Sequence, residues 1–267
     1  MTAPILVTGG TGTLGRRVVP LLRAAGRDVR VLSRRDRAPE PGVTYVTGDL
    51  RADEGVERAV DGVRTILHLA GGPKGDDEAA RHLVRAAARA DVRHIVHISV
   101  IGADAVPLGF LRAKLAAEQA IAGSGVPFTV LRAAQFHEFV LGLAEKLAAL
   151  PVVPVPGMRV QPVDARDVAG RLVDLALAEP AGRVPDLAGP REYELKDVVR
   201  SYLAARGRRR PLVGVRIPGK AGRSYRAGAN LTLDGTRGTR TWEDFLAERT
   251  SAGEGVQPRE LVRRQGE

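Results

Sequence analysis

The chain contains no cysteine. That excludes disulfides, thiolate metal sites and a cysteine nucleophile, and it fits a reducing compartment such as the cytoplasm. No apolar run reaches membrane-spanning length, and Met1-Thr2-Ala3-Pro4 leads straight into Ile5-Leu6-Val7. Neither a membrane span nor a signal peptide is therefore expected. Lysine is scarce too: only five of the 41 basic residues are Lys, so 36 are Arg. Acid is missing where it would matter most. Residues 206–226 hold eight basic side chains and no acidic one. Tyr225 is the sole aromatic in that run, and no nucleic-acid reading motif is evident. A nucleic-acid partner is therefore disfavoured.

What remains is ordinary globular composition, 44% hydrophobic and 27% charged over 267 residues. That length buries one large core, or a main domain with a smaller lobe. The net charge of +10 is uneven: residues from Arg200 onward carry +8, leaving +2 for the first 199. A basic surface of this kind attracts an anionic ligand or partner.

Up to about residue 135, short apolar runs alternate with amphipathic stretches. The runs are Ile5–Val7, Val29–Leu32, Val43–Val46, Thr65–Leu69, Ile95–Ile98 and Phe128–Leu131. Helical patterns cover Leu14–Ala25, Asp53–Asp61, Asp76–Ala90 and Gly109–Ala122. This alternation predicts βαβ crossovers and a Rossmann-type, doubly wound parallel α/β sheet. Beyond Arg132 the rhythm loosens. Helices are expected over Gln135–Ala149, after Asp164 and over Leu195–Arg206, with extended segments at Pro151–Pro156, Val184–Ala188 and Pro211–Pro218. Gly219–Thr239 reads as a loop, and Thr241-Trp242-Glu243-Asp244 as the capped start of a last helix. The expected organisation is a Rossmann domain at 1–150, a smaller α/β substrate lobe at 151–250 interleaved with it, and a mobile tail at 251–267.

The strongest motif is Thr8-Gly9-Gly10-Thr11-Gly12-Thr13-Leu14-Gly15, between the first strand and the first helix. Glycine permits the tight turn and the approach of a pyrophosphate, and the helix N-terminus offers N–H groups to phosphate oxygens. Where an NAD-binding chain carries an acid after the second strand, this one has Ser33-Arg34-Arg35. Guanidinium groups fork onto a 2′-phosphate, so NADP(H) is the expected cofactor, with Arg34 placed before Arg35. After the third strand, Asp49 suits the adenine amino group, with Leu50 against the ring; a cap on the following helix is the alternative for Asp49. Leu69-Ala70-Gly71 at the end of the fourth strand leaves bare backbone for a ribose.

The glycine spacing resembles that of the short-chain dehydrogenase/reductase superfamily in its extended and atypical branches. Arg93–Ala103 is similar to the fifth-strand signature, Lys114–Glu118 to the segment with the active-site lysine, and Ser124–Arg132 to the sixth strand of NmrA-like NAD(P)-binding proteins. Leu187–Pro190 and Trp242–Leu246 also match, so the resemblance spans roughly residues 3–250. It implies a Ser and a Tyr-x-x-x-Lys pair for proton transfer, the lysine also holding the nicotinamide ribose. Lys114 is present, but Phe110 stands where the tyrosine belongs, and phenylalanine has no proton to give. Ser99 ends the fifth strand, with Val100 in place of a second serine. The alternative for Lys114 is a surface helix pair with Glu118.

His137, just after the sixth strand, is a candidate replacement acid, with core packing as the competing role. Gln135, Phe136, Phe139 and Phe110 are candidate substrate-pocket residues. No metal site is expected, since His94 and His97 face opposite sides of a strand. Two functions follow. One is an NADPH-dependent oxidoreductase reducing a quinone, enone or ketone-type small molecule. The other is a non-catalytic NADP(H)-binding redox sensor of NmrA-like type, which would have a protein partner.

Overall fold

Strand-forming, β-branched runs flanked by glycine turns build the first half of the protein. In the computed structural model, which describes residues 3–251, they form β1 (Ile5–Thr8), β2 (Val29–Ser33), β3 (Val43–Thr47), β4 (Thr65–His68), β5 (His94–Val100) and β6 (Phe128–Ala133). The helices between them are α1 (Gly15–Ala24), α2 (Val56–Val60), α3 (Asp76–Arg89) and α4 (Gly109–Ala122). After these come α5 (His137–Ala148), β7 (Val153–Pro156), β8 (Arg159–Val160), α6 (Ala165–Leu177), β9 (Gly182–Arg183), β10 (Leu187–Ala188), β11 (Tyr193–Glu194), α7 (Leu195–Ala205), β12 (Leu212–Val215), α8 (Gly219–Arg226), β13 (Thr236–Arg237) and α9 (Trp242–Ser251).

The described chain forms two compact units. The first holds residues 3–104, 108–133 and 165–186, and the second holds 105–107, 134–164 and 187–251. In the first unit the strands run parallel in the order β6-β5-β4-β1-β2-β3, with β9 beside β6. This is the doubly wound order, and it reverses between β1 and β4, where the carboxyl ends of the strands open a ligand crevice. Strand β1 is apolar up to its last residue and β4 carries Ile66-Leu67 at its centre; Ile5, Leu6, Ile66 and Leu67 have no exposed surface, as a sheet covered on both faces requires. Leu6, Ile66, Ile95, Leu83 and Ile121 share one core cluster with α2, α3 and α4.

The second unit has shorter strands and its own core, in which Val140, Leu141, Val153, Leu195, Val199, Trp242 and Phe245 pack together. Its last helix opens as a reciprocal cap. Thr241 N–H donates to Asp244 Oδ2 at 2.9 Å, and Asp244 N–H donates to Thr241 Oγ1 at 3.1 Å.

Three sequence expectations change. The helix expected from Asp53 starts at Val56, because Asp53 and Gly55 take left-handed φ values of 59° and 69°. The strand expected over Val184–Ala188 shortens to β10, Leu187–Ala188, because Pro185 cannot donate to a ladder; β9 lies just before the expected range. The expected loop 219–239 contains α8 and β13. A side chain on Gly222 would collide with the Ile217 carbonyl, so that glycine serves close packing. Of the tail expected over 251–267, Ser251 ends α9 and the rest lies outside the described residues.

Candidate nucleotide-binding site

The glycines of the β1–α1 turn each have a steric reason. Gly9 adopts φ +68°, and a Cβ there would lie 2.7 Å from the Ala70 nitrogen. A Cβ on Gly15 would overlap the Gly9 carbonyl and Gly10. The turn is thus folded onto the end of β4, and α1 starts directly against it. The first turn of α1 carries no acid. Instead Arg16 Nε donates to the Thr11 carbonyl at 2.9 Å, and an Arg17 guanidinium N–H donates to the Thr13 carbonyl at 2.7 Å. Gly12 and Thr13 are exposed, while Gly10, Leu14 and Gly15 are buried. An exposed N-terminal turn flanked by guanidinium groups suits an anion.

At the end of β2, Ser33 Oγ donates to the Arg35 carbonyl at 2.9 Å and also receives the Arg35 N–H at 3.3 Å. This small turn pushes Arg34 and Arg35 into solvent. Among the described residues neither guanidinium has an acidic partner, unlike Arg81, Arg89 and Arg93. After β3, Asp49 Oδ1 accepts the Arg51 N–H at 2.8 Å. It therefore shapes the loop rather than capping α2, whose cap is Gly55. Leu50 is buried, and its carbonyl lies 2.7 Å from His82 Nδ1.

The carboxyl ends of β1, β4 and β5 gather a polar cluster that the sequence reading only partly anticipated. Thr8 and His68 are register partners, as are His68 and His97. Thr8 Oγ1 accepts the Ala70 N–H at 3.2 Å and lies 2.7 Å from His68 Nδ1. His97 stacks on His68 with ring centroids 5.0 Å apart. Burial first, and the Lys114 charge second, push the His68 pKa down to about 3. Burial also holds His97 well below the usual imidazole range, with His68 and Lys114 acting in the same direction. Both rings are therefore neutral at pH 7.

Ser99, on the same face of β5 as His97, is 2% exposed. Lys114 Nζ pairs with Asp76 Oδ2 at 2.8 Å. Its expected alternative partner, Glu118, is instead gripped by Arg132 through two bonds of 2.9 and 2.8 Å, so the surface-pair reading of Lys114 fails. The bare face of Gly71 is occupied by this ion pair: a Cβ there would lie 2.5 Å from Lys114 Nζ. His68, His97 and Asp76 were missed in sequence. Their signal is a histidine near the end of each of two neighbouring strands, and an acid opening the helix after the second glycine turn.

Phe110 lies on the first turn of α4 and is 38% exposed, so it brings an apolar ring and no acid. The remaining expected pocket residues belong to the second unit. There Gln135 and Phe136 are half-buried, and Phe139 is 62% exposed. His137 has no exposed surface; its ring lies 5.0 Å from Phe245 and 6.0 Å from Trp242. A ring sealed in an aromatic core touches no substrate, so the proton-donor role expected for His137 is withdrawn. The basic run lines two open clefts of the second unit. One, of about 720 Å³, carries Arg208, Arg209 and Arg210 beside Lys196 and Arg200; the other, of about 450 Å³, carries Arg216, Arg223 and Arg226. No helix among the described residues is long and apolar enough to cross a membrane.

Residues 9–175 match the family model for NAD(P)H-binding domains. This chain belongs to the NAD(P)H-binding family. Among its relatives, the (4-alkanoyl-5-oxo-2,5-dihydrofuran-3-yl)methyl phosphate reductase of Streptomyces griseus is 34% identical over 197 residues, covering 70% of this chain and 68% of that one. The ceramide reductase of Caulobacter vibrioides is 28% identical over 251 residues, covering 85% of this chain and 79% of that one. The NADPH-dependent quinone oxidoreductase of Escherichia coli, solved with NADPH, superimposes with a TM-score of 0.78 at 20% identity, covering 91% of this chain and 99% of that one. That likeness shows the fold, a Rossmann-type α/β sheet shared with NAD(P)-binding reductases.

The NAD(P)H-binding family needs a turn that admits a pyrophosphate, and this one passes the test. Side chains at Gly9 or Gly15 would fill the turn with backbone clashes, and the anion-facing end of α1 has no carboxylate in its first turn to repel phosphate.

Proposed function

We propose that this NAD(P)H-dependent oxidoreductase prefers NADPH and reduces an electron-poor small molecule of the quinone, enone or activated-ketone class. When bound, NADPH supplies the hydride. The observation that carries the substrate class is Phe110. Ser99 remains near the end of β5 and Lys114 on α4, but the side chain expected to deliver a proton to a substrate oxygen is a hydrocarbon ring. His68 and His97 are neutral and buried, so they are poor acids. An acceptor electrophilic enough to take hydride without an acid fits such a site, its proton then coming from water.

The chain's own residues divide the remaining work. Residues 8–15 cradle the pyrophosphate, with the start of α1 offering N–H groups to it. Arg34, exposed and without an acidic partner, receives the 2′-phosphate, with Arg35 beside it. Asp49 and Leu50 border the adenine. Lys114 holds the nicotinamide ribose. Phe110 adds an apolar edge against a planar acceptor.

The test is oxidation of NADPH, followed at 340 nm, across a panel of quinones, enones and ketones. Turnover of quinones above simple ketones is expected, and Phe110→Tyr should raise ketone reduction. Tight NADPH binding with no oxidation across the panel would replace this reading with the non-catalytic sensor.

A further inference from the structure

Asp76 is the first residue of α3, directly after Gly75, whose φ is +82°. Its carboxylate faces inward and is only 6% exposed, although no hydrophobic contact calls an acid there. Each oxygen has one task. Oδ1 accepts the Gly72 N–H at 2.8 Å, which closes the turn after β4. Oδ2 lies 2.8 Å from Lys114 Nζ, whose side chain is 13% exposed. The pair rests on Gly71, where a Cβ would lie 2.5 Å from Nζ and 3.3 Å from Oδ2. Any other residue at 71 would push the ammonium away.

The lysine has no rival partner on its own helix. Glu118, one turn further along α4, is committed to Arg132. Lys114 carries three ammonium N–H donors, and Asp76 Oδ2 is its one ion-pair partner among the described residues. A long, flexible side chain is thereby fixed before any ligand arrives, and the ordering cost is met in the free protein rather than on binding.

We infer that Asp76 is a positioning residue: through Gly71 and the Lys114 ion pair it presets the lysine ammonium for the nicotinamide ribose. This rests on the reading, proposed above, that Lys114 meets that ribose. Asp76 itself touches neither cofactor nor substrate. Its effect therefore passes through Lys114 and is the same for NADPH and NADH, which share the nicotinamide ribose.

A double-mutant cycle in cofactor binding, read by NADPH and NADH fluorescence titration, tests this on the full chain. Asp76→Asn should weaken both cofactors about tenfold, one decade of affinity, and leave their affinity ratio unchanged. Lys114→Met should weaken them at least as much, and adding Asp76→Asn to Lys114→Met should change affinity less than twofold. In turnover, KM for NADPH rises in Asp76→Asn while kcat falls less. If Asp76→Asn fails to fold by circular dichroism, Asp76→Ser, a favourable helix-start residue, takes its place in the cycle. Wild-type affinity in Asp76→Asn, or an equal loss with and without Lys114, overturns the inference alone. Normal cofactor affinity in Lys114→Met overturns the ribose role of Lys114 and the inference with it.

Discussion

In the first unit, several buried polar side chains are paired across separate elements. Thr8 meets His68, Lys114 meets Asp76, and Arg132 is held by Glu118 and Asp104. In the second unit the single imidazole, His137, lies among Trp242 and Phe245 in an aromatic core, and the charge is spread over open clefts. Buried polar networks are costly unless fully partnered, so they persist where geometry has to be fixed. Aromatic packing asks only for volume and is indifferent to chemistry. The difference fits the proposed seat of the cofactor in the first unit, and the second has an aromatic core and a basic exterior.

The sharpest way to break this comparison is Trp242→Ala. Trp242 is 1% exposed, and loss of so large a side chain should cost about 4 kcal/mol in chemical denaturation. NADPH affinity, measured below the transition, should stay within twofold; a tenfold loss would tie that core to the cofactor. Next comes Gly15→Ala. The added methyl meets the Gly9 carbonyl, and NADPH binding by calorimetry should weaken about 100-fold, or about 2.7 kcal/mol.

Titration probes the histidine stack. The folded-state pKa of His68 is about 3, against 6.5 for the free side chain. The unfolded chain therefore takes up a proton that the folded chain refuses, and the His68 contribution is present above pH 6.5 and lost as pH falls towards 3. From pH 7 to pH 5 the unfolding free energy should drop by about 2 kcal/mol from His68 alone. His97 adds to the same slope, and His68→Gln should flatten it. A slope unchanged in His68→Gln would mean that the stack is not what makes the fold sensitive to acid.

Arg34→Ala should weaken NADPH about tenfold, roughly 1.4 kcal/mol, and leave NADH unaffected. Equal losses for both cofactors would remove the 2′-phosphate assignment. The smallest effect is expected for replacing Arg208, Arg209 and Arg210 together with Ser. These side chains line an open cleft, so stability should change by no more than about 0.5 kcal/mol.

Much of the first unit is legible in the sequence because its signals are local. The runs at Ile5–Val7 and Val43–Val46 sit within one residue of their strands, and Gly109–Ala122 is the observed α4. The glycine spacing is equally local, falling within eight consecutive residues, although the contact that requires Gly9 comes from Ala70 at the end of β4. In the second unit the reason for Gly222, the close Ile217 carbonyl, lies five positions away across a turn. For His137 the proton-donor and packing roles both stayed open because its aromatic neighbours, Trp242 and Phe245, come more than a hundred residues later.

The sequence by itself determined the parallel sheet, the phosphate-cradling turn, the two arginines after β2 and the absence of a tyrosine at 110. Those are matters of periodicity, spacing and residue type. Only the tertiary structure decided what Lys114 pairs with, that His68 and His97 stack as neutral rings, and that His137 is core. Each of those depends on side chains brought together from separate elements, where burial and one nearby charge set the chemistry.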